Sequence, residues 1–212
     1  MMRKEPGCDA PIDHPFPLEE ADIALALRLA QAKDTDFVRG LGTVSEIGSQ
    51  QALLALVGLL FAYGQFGRDP AATRTAGRLL GAHLAASLIK STVKRLVHRT
   101  RPNVLIEDGI YARGWSGPNE GPWQSFPSGH VAVSVAMARA LARAHPSWRG
   151  RAYAGAGFVL ALQVLRGAHY PADVAAGALV GLLAEAASER GLCAAENRRR
   201  SAARGRSDRA GR

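Results

Sequence analysis

From Ile47 to Gly67 the chain reads IGSQQALLALVGLLFAYGQFG, 21 residues without a charged side chain. A helix of that length rises about 30 Å, the thickness of a bilayer's hydrocarbon core. An apolar helix with no polar face must be buried all round, in protein or in lipid, so this segment limits the fold more than any other. Four further apolar segments follow, at Leu79–Ile89, Val131–Ala138, Ala152–Leu165 and Val174–Ala184. Each is shorter than the ~20 residues a span needs. Each reaches that length if Arg, Lys or Glu side chains at its ends snorkel or face a polar site between helices. No repeat and no strand-like alternation of useful length interrupts the series. The pattern predicts an all-α helical bundle of about five membrane-spanning helices, with the buried helices of a soluble bundle as the competing architecture.

Residues 18–33, LEEADIALALRLAQAK, set apolar positions among charges and predict an amphipathic helix, lying on a membrane surface or on a core. A length of 212 residues suits one domain. The expected division is a disordered terminus over 1–17, a single helical domain over 18–192 and a disordered Arg-rich tail over 193–212. The formal charge is +9, and residues 196–212 carry seven Arg against Glu196 and Asp208, leaving +4 for the rest. Such a tail reads as a solvated end or a membrane-flanking anchor. A nucleic-acid partner would rest on the tail alone and is not expected. Cys8 and Cys193 stand far apart, with no C-x-x-C spacing, and suggest neither zinc nor a disulfide framework. The first 17 residues hold no apolar run behind their basic residues, so no cleaved secretory signal is expected.

If all five segments span, Arg68, Arg74 and Arg78, then Arg139, Arg143, Arg149 and Arg151, then the tail fall on one side, the cytoplasm by the positive-inside rule. The chemistry-bearing motifs fall on the other side. That places the protein in an inner membrane with its site on the outer face, and leaves the first 49 residues outside without an export signal. The stretch 103–126, rich in Gly and Pro and carrying Trp115 and Trp123, reads as a long loop over the site, with the tryptophans as lid or interface residues.

Three separated motifs hold the chemistry. In KRLVHRTRP, Lys94 and Arg101 are seven apart and would share a helix face until Pro102 ends the helix. Two cations aimed one way suit a phosphoryl group, whose charge spreads over its equatorial oxygens. A basic cluster at a membrane edge, with Arg95, His98 and Arg99, explains the same residues. Pro127-Ser128-Gly129-His130 precedes an apolar run and reads as a helix start. Its free amides, the Ser128 hydroxyl and the close approach that Gly129 permits would hold an anionic oxygen, and His130 would give a proton to a leaving oxygen. A plain N-cap beside a packed histidine is the alternative. In HYPAD, Pro171 opens a helix with His169 just before it and Asp173 just after. A carboxylate on one imidazole nitrogen would fix the tautomer and leave the other as a nucleophile. A local hydrogen bond is the alternative.

Taken together, Lys94, Arg101 and Pro102, then Pro127 to His130, then His169 and Asp173 resemble the three-part signature of the type 2 phosphatidic acid phosphatase and vanadium haloperoxidase superfamily, closely over about 94–180. The resemblance implies an all-helical bundle, His169 as a nucleophile forming a phosphohistidine, His130 as general acid, Asp173 orienting His169, and Lys94, Arg101, Ser128 and Gly129 binding phosphate. No cofactor is expected, and no metal is implied, because the carboxylates and histidines near the site have assigned roles and no cluster has ligand spacing. Where the family pattern has Ser-Arg this chain has Leu162-Gln163, so one phosphate-binding Arg is missing. Arg166, about 60° around a helix from Gln163, is placed to replace it.

The leading expectation is a membrane phosphatase acting on a lipid phosphate or polyprenyl diphosphate. A soluble nonspecific acid phosphatase of the same superfamily and a non-catalytic lipid-phosphate-binding protein are the alternatives. A vanadate-dependent haloperoxidase, with His169 as vanadate ligand, resembles the same pattern, but such enzymes are much longer. Neither the particular lipid nor the oligomeric state follows from the sequence.

Overall fold

The computed structural model describes residues 16–36, 38, 40, 50–115 and 117–210. Seven α-helices and one short hairpin appear among them: α1 Pro17–Ala30, α2 Gln50–Phe66, α3 Pro70–Leu96, β1 Val97–Arg99, α4 Pro102–Asp108, β2 Arg113–Trp115, α5 Gly129–Ala144, α6 Arg149–Leu165 and α7 Pro171–Ala210. Residues 1–15 of the expected disordered terminus, Cys8 among them, lie outside the described residues. So do residues 47–49 of the long uncharged segment. The all-α expectation holds, and the amphipathic segment forms α1 followed by a 3-10 turn over Gln31–Asp34.

Local chemistry sets the helix ends. Asp69 caps α3, accepting from the Ala71 and Ala72 amides at 2.8 and 3.1 Å, with Pro70 at the first helical position. α5 occupies the centre, against α3, α6 and α7, while α2 packs on α3. Its sequence, GHVAVSVAMARALARA, suits that place because small residues let neighbours close in. Gly177 and Gly181 of α7 use this: a methyl at either would stand 2.6 Å from the Ser128 carbonyl oxygen or 2.5 Å from that of Ala132. Apolar packing follows in two clusters, one around Val57, Leu79, Val133 and Met137, the other around Val131, Val135, Val164 and Val174.

The two ends of the bundle differ. The C-terminal ends of α3 and α6 and the N-terminal ends of α5 and α7 share one end. At the opposite end Glu185, almost fully buried, takes Arg139 Nε and Arg143 Nε at 2.7 Å each and ties α5 to α7. Arg78 meets Glu189 there at 3.5 Å.

Three sequence expectations need correction. Lys94 and Arg101 do not share a helix: α3 stops at Leu96, and Val97–Arg99 pairs antiparallel with Arg113–Trp115. The residue before a proline avoids helical backbone, and Arg101 is extended, with φ −76° and ψ 154°. Second, 103–126 is not one loop. It holds α4, closed by Gly109 at φ 70°, then β2 and a 3-10 turn over Gly121–Trp123. Third, α7 continues through the segment assigned to a disordered tail as far as Ala210, with no proline after Pro171 to stop it.

Length limits the spans. Among the described helices only α7, over Pro171–Arg204, combines the length and apolarity of a membrane span, and α2 is apolar but 17 residues long.

Candidate active site

The site is built where four helix ends meet, and the turn from α6 into α7 presents its histidine. Gln163, buried at the end of α6, uses its carbonyl to accept the amides of Ala168 and His169, both at 3.1 Å. Gly167 makes the bend possible. Its φ is 63°, and a methyl there would collide with Asn103 Oδ1, while the Asn103 amide donates to the Gly167 carbonyl at 3.0 Å. The first turn of α4 is thus fastened to the histidine-bearing turn.

Asp173 is fully buried and every contact it makes is specific. Oδ2 accepts the Tyr170 amide at 3.0 Å, the half of a capping box in which the third helical residue reaches back to the N-cap. The same oxygen accepts Ser125 Oγ at 2.5 Å, and Oδ1 accepts Arg99 Nη1 at 2.9 Å. From His169 Nδ1 it stands 3.9 Å away, too far for a hydrogen bond. Ser125 Oγ lies between them, 3.4 Å from Nδ1, and the Ser125 main chain also bonds the ring. The expected direct carboxylate–imidazole pair is therefore a chain of three: Asp173 anchors Ser125, and Ser125 meets the ring. The physical reason is the cap, which commits Asp173 to its own helix start.

Holding Nδ1 toward Ser125 leaves Nε2 on the far side of the ring. Burial, followed by the charges of Arg101 and Lys94, drives the His169 pKa well below its ordinary value, and His130 adds to this. The imidazole is neutral, the form a nucleophile requires. Lys94, Arg101 and His130 thus converge on His169 from three chain segments.

The strand-and-turn geometry makes that convergence possible. Thr100 donates its amide to Ala112, Arg101 to Pro122 and Ser125 to Arg99, at 2.9, 3.0 and 2.9 Å. Lys94 Nζ donates to the Gln124 carbonyl at 2.5 Å. Ser128, buried, is the N-cap of α5, and its amide donates to the Asp173 carbonyl at 3.0 Å. Its Oγ makes no capping bond and has no partner among the described residues, nor has Arg101 Nε. Buried polar atoms left open cost about 1–3 kcal/mol each, and a bound anion at the free amides of a helix start would satisfy both kinds. Arg166, half buried, is the C-cap of α6, within one turn of Gln163.

Two neighbours of Asp173 escape sequence reading, Ser125 and Arg99. Arg99 is buried and crowded: besides Asp173 it meets Asp22 of α1 through Nη2 at 2.8 Å and Tyr111 through Nε at 3.2 Å, and lies 3.9 Å over the Tyr170 ring. Burial opposes its charge, but Asp173 leads the groups that outweigh burial, so its pKa is raised. Asp22 Oδ1 also accepts the Ala172 amide at 2.9 Å. Tyr111 donates to Glu19, which pairs with Arg113 at 2.9 Å, and burial followed by the Glu19 bond pushes the phenol up to about 12. Helix α1 is thereby part of the support for Asp173. The only signal in the sequence is the Arg99 charge inside KRLVHRTRP, and it also fits a surface cluster.

The PAP2 superfamily model matches residues 75–190, more than half of the chain, so the chain belongs to the PAP2 superfamily. It is similar to lipid A 1-phosphatases of Rhizobium etli, 33% identical over 108 residues, and Rhizobium johnstonii, 34% over 97. Those alignments cover 48% and 45% of this chain and 46% and 39% of the relatives, so the chain spans about half the length of the curated relatives it matches. The fold is also that of two solved structures. Aquifex aeolicus LpxE superposes with a TM-score of 0.62 at 21% identity, over 79% of this chain and 94% of that one. A transmembrane PAP2 type phosphatidylglycerolphosphate phosphatase from Bacillus subtilis gives 0.56 at 19%, over 83% and 86%.

Proposed function

We propose that this protein is an integral membrane phosphatase that releases orthophosphate from a lipid phosphate or diphosphate through a phosphohistidine at His169. The observation that carries the reading is the convergence of Lys94, Arg101 and His130 on a neutral, buried His169 whose Nδ1 is engaged at Ser125. Nε2 attacks phosphorus and the bond to the lipid oxygen breaks, with His130 giving that oxygen its proton. Water, losing a proton to His130, then attacks the phosphohistidine and frees orthophosphate and His169. Lys94, Arg101, Ser128 and the Gly129 amide hold the equatorial oxygens. Asp173 orients His169 through Ser125. No step calls for a metal, and turnover in EDTA is expected.

Arg166 is proposed as the cation that stands in for the one missing at Gln163. Arg166→Ala is expected to lower kcat/KM by about ten- to a hundredfold, the size of one charge-assisted contact. Full turnover in that variant removes Arg166 from the site.

The membrane reading is supported by an inverted distribution of side chains. Leu54, Leu59 and Phe61 of α2, Leu84 and Leu88 of α3 and Leu179 and Leu183 of α7 are exposed, whereas His83, Lys90 and Glu185 are buried. Large apolar side chains outside and charges inside suit a bundle in lipid. We assign five spans, α2, α3, α5, α6 and α7, the shorter ones extended by snorkelling Arg at their ends. The Arg-rich turns then face the cytoplasm and the site faces outward across an inner membrane.

Relatives named lipid A 1-phosphatase put lipid A 1-phosphate first among substrates. The deciding assay is phosphate release by detergent-purified protein, in EDTA, from lipid A 1-phosphate, phosphatidic acid, phosphatidylglycerophosphate, a polyprenyl diphosphate and p-nitrophenyl phosphate. Preference for a lipid supports the proposal. Equal turnover of the soluble ester marks a general phosphatase, and no turnover by folded protein marks a lipid-phosphate binder.

The depressed His169 pKa fixes the pH dependence. A histidine nucleophile works unprotonated, so activity falls with acid only below its folded pKa. The acid limb of kcat/KM attributable to this group is expected well below pH 6.5, the unperturbed value. A stopped-assay pH profile whose acid limb lies at or above 6.5 contradicts this geometry.

A further inference from the structure

We infer that Lys90 is a phosphate-binding residue, its ammonium reaching the start of α5 at Gly129 to contact the same phosphate as Lys94 and Arg101. The inference rests on the phosphate-site reading above and deepens it by adding a cation that the sequence motifs do not contain.

Lys90 lies one helical turn before Lys94 on α3, so both project from one face. It is 9% exposed. No Asp or Glu among the described residues pairs with it. Its side chain runs along Gly129: a methyl built there would stand 3.1 Å from Lys90 Cδ and 3.2 Å from Nζ. The ammonium is therefore at the N-terminal turn that Ser128 and Gly129 open to an anion, and its field, like that of Arg101, acts on Lys94. A Cβ at residue 129 would make the Lys90 side chain give way by a few tenths of an ångström, so glycine lets the ammonium sit directly against this turn.

A buried cation without a counter-charge is costly, and structures retain one when a ligand supplies that charge. Three positive groups, Lys90, Lys94 and Arg101, around one helix start describe a site shaped for a multiply charged anion. A lysine on a lipid-facing helix would otherwise snorkel to the interface. Lys90 points inward instead, on a face that continues to Ser87 and His83. Ser87 Oγ and His83 Nδ1 are buried without a hydrogen-bond partner among the described residues, as is Ser134 Oγ, one turn beyond His130 on α5. That lining is polar, which suits water and phosphate oxygens behind the ammonium and does not suit apolar packing of its stem.

The test is orthophosphate binding to the full-length protein in detergent, by calorimetry and by the shift in thermal unfolding, for the native chain, Lys90→Met and Lys90→Arg. The native protein is expected to bind and to unfold at higher temperature with phosphate. Lys90→Met is expected to bind at least about tenfold more weakly, while its phosphate-free unfolding temperature stays the same or rises because an unpaired buried charge is gone. Lys90→Arg keeps the charge and is expected to bind within about threefold of native. Lys90→Gln, with the same expected loss, replaces Lys90→Met if the latter does not fold. Native affinity in Lys90→Met or Lys90→Gln overturns the inference, as does a lower phosphate-free unfolding temperature with unchanged affinity. If the native protein itself does not bind orthophosphate, the phosphate-site reading falls first.

Discussion

His169→Ala is expected to abolish phosphate release from every substrate, a loss of at least about a thousandfold, because the proposed mechanism forms the bond to phosphorus at its Nε2 and no other group among the described residues is placed to make it. The variant should fold. The backbone turn that carries residue 169 is held by the Gln163 carbonyl and by Gly167 on Asn103, neither of which uses the imidazole. Orthophosphate affinity should survive within a few fold, since Lys94, Arg101 and Ser128 remain. Single-turnover labelling with phosphate-labelled substrate, quenched in base, should give an acid-labile phosphoprotein in the native chain and none in the variant. Residual turnover within tenfold of native would sink the histidine mechanism.

Arg99→Met should produce the second largest effect, on stability first and on catalysis through it. Removing one partner of a buried ion pair costs about 3–5 kcal/mol because the other charge is left unpaired, and here two carboxylates lose their partner at once. Asp22 and Asp173 meet Arg99 at 2.8 and 2.9 Å, with Arg99 itself nearly buried. The expected signature separates positioning from simple unfolding. Arg99→Met combined with Asp22→Asn should recover part of the lost stability, since one orphaned charge is gone, but kcat should stay low because Asp173 still lacks its anchor. Thermal unfolding and kcat measured on both variants check this. Native kcat in a folded Arg99→Met would show that Asp173 and Ser125 hold His169 without it.

The sequence marks most residues that the site brings together, and the reason is chemical. Lys94, Arg101, Ser128, Gly129, His130, His169 and Asp173 have side chains or backbone freedom that an anion site needs, and they stand in short motifs beside Pro102, Pro127 and Pro171, which announce chain breaks. Their route to one another is less legible. Placing Lys94 and Arg101 on a shared helix fails because pairing of Val97–Arg99 with Arg113–Trp115 is a long-range contact, and three residues are too few to show a strand period. A direct His169–Asp173 bond fails for a similar reason. Spacing places both at a helix start, but a capping carboxylate serves the backbone first, and Ser125 then relays its effect from another segment.

By itself the sequence determines the helical class and marks the residues proposed to hold and transfer phosphate, because each of these follows from local period and side-chain chemistry, whereas the close contacts at Gly167, Gly177 and Gly181 appear only in the fold. Only the tertiary structure decides that Arg99, which looks like one more basic residue at a membrane edge, is buried between Asp22 and Asp173, and that Lys90 turns inward to Gly129. A charge's role depends on which opposite charge lies beside it and how much water is excluded, and both are set by segments distant in the chain.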